Sequence, residues 1–143
     1  MSITEQKELA EKLRQHFLSF PDLAVKGGAF SLDGLAAKGE SMSLQMNPGH
    51  EISRSISGRR TMSQPFTIYY RSAASGENEA KSSMMGALNA IGVWLEEQER
   101  LPELGTGIHA TKLEQTALAS IVEQDNVVVA YMATFNLQYN IRP

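Results

Sequence analysis

Cysteine is absent from the 143 residues. Disulfides, thiolate metal sites and cysteine nucleophiles are therefore excluded. No stretch approaches the ~20 consecutive apolar residues that cross a bilayer. A secretory h-region is also missing from the opening run MSITEQKELAEKL, which is charged and helical, so synthesis in a cytosol is the expectation. Aromatic residues are missing between Ser31 and Pro65. Histidine is scarce: His16, His50 and His109 fall in no H-E-x-x-H spacing and supply no zinc pattern. There is no nucleophile elbow of G-x-S-x-G form. Gly27, Gly28 and Gly34 do not make a phosphate-binding G-x-x-x-x-G-K-[ST] loop. No cofactor and no metal are expected.

Hydrophobic residues make up 42% of the chain, enough for one core, and the length is that of a single domain spanning residues 1–143. The net charge of −3 is unevenly spread. Residues 1–40 sum to −1, residues 41–75 to +3 and residues 76–143 to −5. A basic middle beside an acidic C-terminal half suits complementary contact between neighbouring copies, although scattered charge on solvated loops gives the same sums.

From Val127 to Ile141 every odd position is apolar or aromatic: Val127, Val129, Tyr131, Ala133, Phe135, Leu137, Tyr139, Ile141. Period-two alternation predicts one long strand with a buried face. It would span roughly 45–50 Å, beyond the ordinary strand length. The inner half is expected to pair within the domain. The outer half, with Phe135, Leu137, Tyr139 and Ile141, is expected to reach a neighbouring subunit by strand addition.

Upstream, Ser2-Ile-Thr-Glu5 has the form of a capping box, and Leu9, Leu13 and Phe17 recur at i+4, predicting a helix over about 3–19. Pro21 stops it. Leu23–Lys26 is a short strand candidate broken by Gly27-Gly28. Phe30, Leu32 and Leu35 fit a strand or a packed loop. Met42, Leu44 and Met46 alternate into the turn Asn47-Pro48-Gly49. Residues 47–65, rich in Ser, Gly and Arg, fit a long hairpin or a mobile loop that orders on assembly. Phe66, Ile68 and Tyr70 define a strand. Ala80, Met84, Leu88, Ile91 and Leu95 define a second helix, ending near Arg100 with Leu101-Pro102 as the stop. His109–Lys112 and Leu118–Val122 follow, the latter forming a hairpin with the final strand around Asp125-Asn126.

The expected fold is α+β: an antiparallel or mixed sheet, two helices on one face and a long C-terminal strand. Trp94 reads as core or rim packing, and Glu96, Glu97 and Glu99 as an exposed helix end. Arg54, Arg59 and Arg60 are the basic cluster. Without interleaved aromatics or a basic balance they point to a protein partner ahead of sequence-specific nucleic acid.

Pro65-Phe-Thr-Ile-Tyr-Tyr-Arg71, then Glu79-Ala80 and the Leu88–Leu95 helix, resembles the minor capsid and tail-completion proteins of tailed bacteriophages, the group that includes tail terminators. There a strand ending in Arg leads into a helix that begins with an acid and Ala. The run Tyr131–Tyr139 is similar to that family's terminal strand, and the resemblance covers about residues 65–141. It implies a virion protein of the tail and neck, made in the bacterial host cytoplasm. It implies self-assembly into a ring, hexameric in known relatives, between the tail tube protein and the head-closure or neck protein. DNA would pass through the ring. No catalysis and no membrane contact are implied. The competing class is a small α+β ligand-binding or enzymatic domain.

Overall fold

The computed structural model describes residues 3–23, 30–32, 40–73, 78–98, 100–124 and 128–142. Helix α1 (Ile3–Leu18) is followed by strands β1 (Phe30–Leu32), β2 (Ser41–Met46), β3 (His50–Arg54) and β4 (Arg60–Ala73). Helix α2 (Asn78–Glu97) then precedes β5 (Ile108–Gln124) and β6 (Val128–Ile141). Two helices and a six-stranded mixed sheet make the fold α+β, as expected.

The strand order is β1-β2-β4-β6-β5, with β3 paired to β4 beyond the end of β2. Among the described residues, β1 and β2 pair in parallel and the other pairs are antiparallel. Strand β6 pairs with β4 from Val128 to Ile141 and with β5 from Val129 to Ile141. It is thus an interior strand along its length. Strand β4 changes partner at Pro65, from Met46 of β2 opposite Phe66 to His50 of β3 opposite Ser63. Proline has no amide to give a ladder, and the break falls where none is needed. The buried side chain of Gln64 fills it, its Nε2 donating to the carbonyls of Asn47 and Pro65.

One face of the sheet carries both helices. Leu9, Leu13 and Phe17 of α1 are buried, as are Met84, Leu88, Ile91 and Leu95 of α2. The predicted helical phases are therefore right. At the centre, Phe66 and Phe135 are register partners with rings stacked at 5.5 Å, and Phe17 packs on both at 5.8 and 5.9 Å. Such aromatic pairs are worth about 0.5–1.5 kcal/mol each beyond their area. Trp94 joins the helices by stacking on Phe20 at 4.9 Å, and His16 packs against it. The opposite face is polar. There Ser63 Oγ donates to Asn136 Oδ1 (2.8 Å) and Thr61 Oγ1 to Asn140 Oδ1 (2.9 Å).

Two expectations change and one left open is decided. Strand β5 is one element of 17 residues instead of two short ones, because four register shifts let it follow β6 despite broken alternation. Of the two forms open for residues 47–65, the structure has the paired hairpin. The outer half of β6 does not leave the subunit: β4 and β5 are as long as β6 and match it within one chain. The capping box at Ser2, the strand candidate at 24–26, Leu35 and the turn at Asp125-Asn126 lie outside the described residues.

Candidate subunit interface

The basic cluster sits on the β3–β4 hairpin, whose first strand is exposed at all five positions. The tip closes with Ser55 N–H donating to the Arg59 carbonyl (2.8 Å) and Gly58 N–H to the Ser55 carbonyl (3.0 Å). Arg59 N–H also donates to Ser55 Oγ (3.1 Å). Gly58 has φ of 92°, a left-handed conformation that other residues adopt at a cost. This turn holds Ile56 wholly in solvent, with Ile52 half exposed beside it.

Glu51 lies between two of the cations. Its Oε1 accepts from Arg60 Nε at 2.8 Å and from Arg54 Nε at 3.2 Å. The Arg60 hydrogen bond, with a smaller contribution from Arg54, holds the carboxyl below its ordinary pKa. Arg59 is exposed and makes no ion pair among the described residues. The hairpin therefore presents two apolar side chains within a net positive surface.

Phe135, Leu137 and Tyr139 lie elsewhere. All three are in the core, at 1% exposure or less. They are interior side chains of the subunit, which corrects their assignment as contacts with a neighbour. Ile141 is partly buried and is the register partner of both Arg60 and Ile108. Only here do the two predicted groups meet.

A surface not anticipated as a contact lies at the β5 border of the sheet. Leu118, Ile121 and Val122 are 73%, 45% and 46% exposed. On α2, Asn89 Oδ1 accepts from Gln115 Nε2 and from Ala119 N–H, both at 2.9 Å. Met85 and Val93, one helical turn to either side of Asn89, are exposed as well. The readable signal was the unalternated run Leu118–Val122, which fits poorly with a strand buried on one face.

The three histidines lie on α1, β3 and β5 and are not brought together. Among the described residues no three carboxylates or histidines form a metal-binding group. An open groove of about 510 Å³ is lined by residues 101–106 and 108–110, with Glu103 and His109 its ionisable members. No described helix is long and apolar enough to cross a membrane.

No protein-family profile and no curated protein matches the chain. Among solved structures it is similar to a chain of the virion of a native gene transfer agent (GTA) particle. The TM-score is 0.61 at 19% identity, over 97% of this chain and 99% of that one. The likeness is one of fold, and it extends over nearly the full length of both chains.

Proposed function

We propose that the protein is a structural component of a phage-type virion that closes into a ring, ends the tail tube and meets the neck. The observation that carries this reading is the full-length fold correspondence with a virion chain. The hairpin supports it: a firmly hydrogen-bonded turn that exposes Ile56 suits burial against another molecule. The role asks for surfaces and a stable sheet and needs no chemistry. Arg54, Arg59 and Arg60 are proposed as partner contacts, with the tail tube and neck proteins as the other partners and DNA passing through the lumen.

The test is assembly. Purified chain, followed by mass photometry and negative-stain microscopy, is expected to give closed rings, of six copies if the resemblance holds. Added to polymerising tail tube protein, it should stop growth and sit at one end of each tube. A chain that remains monomeric at high micromolar concentration and leaves tube length unchanged refutes the proposal.

A further inference from the structure

Resting on that reading, we infer that the β3–β4 hairpin of one copy seats on the β5–α2 border of the next. The occupant of the apolar patch formed by Met85, Leu118, Ile121 and Val122 is thus a second copy of this chain. Three observations carry this.

The first is position. The hairpin flanks β4 on the side away from β6, whereas β5 closes the opposite border of the sheet. Within the hairpin β3 pairs with Arg60–Ser63, at the end of the sheet where β6 finishes, while Ile121 lies opposite Tyr131, toward its start. Two patches on opposite borders cannot meet each other twice about one two-fold axis. They join head to tail, the contact type that closes rings.

The second is complementarity. The hairpin offers Ile52 and Ile56 among Arg54, Arg59 and Arg60 against Glu51 alone. The other border belongs to the segment of net charge −5. Of its exposed acids, Glu123 adjoins the patch, while Glu96 and Glu97 lie at the far end of α2, and Lys112 is already paired with Glu114 at 3.4 Å. Apolar groups meet apolar groups, and the acid beside them is opposite in charge to the arginines.

The third is the form of the edge. A flat edge strand invites another strand. Here four register shifts interrupt β5, and Asn89 takes the amide of Ala119. Side chains, not backbone ladders, are therefore what this border offers. Because Asn89 contacts both Gln115 and Ala119, while Gly92 lies against Gln115, α2 runs counter to β5. That direction sets Met85 at the Ile121–Val122 end of the patch.

The absence of cysteine gives a clean test. Ile56→Cys and Leu118→Cys alter exposed positions outside the core, so both variants should fold, and the unaltered chain serves as the reference for assembly. Mixed and treated with a short bis-maleimide, they are expected to cross-link one to the other. Each alone should give no dimer, and the double variant should give a ladder ending at the closed oligomer. Cross-linking of the Ile56→Cys variant with itself would overturn the head-to-tail contact. Assembly without cross-linking of the pair would overturn this inference while leaving the ring intact. An unaltered chain that never assembles overturns both.

Discussion

Leu88 is fully buried at the centre of the α2 stripe. Leu88→Ala is expected to lower unfolding free energy by about 2–5 kcal/mol in denaturant titrations. His16 acts differently. Burial lowers its pKa from the ordinary 6.5, where the ring packs on Trp94 and Phe17. The unfolded chain therefore takes up the proton more readily than the folded one. Stability is retained above that ordinary value and lost as pH falls below it toward the folded pKa. Unfolding curves between neutral and mildly acid pH should show this loss, and His16→Gln should remove that part of the slope. Helix periodicity made Leu88 and Trp94 legible in the sequence, since spacings of three and four specify a face. The half-buried state of His16 was less so, because its position depends on a second helix far along the chain. Tyr70 depends on the fold in the same way. Burial, aided by its hydrogen bond to Glu40, raises its hydroxyl pKa, leaving it neutral throughout that range.

Among the elements, β6 shows how a correct local reading led to a wrong conclusion. Its alternation specified a strand and a buried face, and both hold. Its length was read as excess because ordinary strands are shorter, yet β4 and β5 are equally extended. Pairing partners are a property of the whole sheet and leave no mark on one segment. The consequence is testable. Deleting Leu137–Pro143 removes two core side chains and the β6 partners of Arg60–Gln64. The truncated chain should lack a cooperative thermal transition by circular dichroism, instead of folding and merely failing to assemble. The hairpin is governed by its turn. Gly58→Ala places a Cβ in the left-handed region at a cost of roughly 1–2 kcal/mol. Exchange of the Ser55 amide should rise by about 5- to 30-fold with the core unaffected. Ser, Gly and Arg content alone could not separate this built turn from an irregular loop, because the ordering lies in a few backbone hydrogen bonds.

For the molecule as a whole, Arg54, Arg59 and Arg60 of the hairpin and Glu114 and Glu123 of β5 lie toward opposite borders of one sheet. Head-to-tail contact between those borders is partly electrostatic and exposed to salt. Raising ionic strength from low to several-fold physiological should weaken assembly in sedimentation velocity, without changing the unfolding of the monomer. The apolar half of the contact, Leu118 to Val122, was visible in the sequence only as broken alternation, whereas the arginines stood out by type. The sheet also carries a constraint on biosynthesis. Thr61 and Asn140, joined across β4 and β6, are 79 positions apart. Contacts so distant are slow to form, and a nearby hairpin such as β5–β6 forms sooner. During translation β4 must wait, its edge unsatisfied, until the ribosome has delivered β6. The subunit's centre is thus laid down after its periphery, and a nascent chain arrested before Val128 holds β1, β2, β3 and β4 with the β6 side of β4 still open.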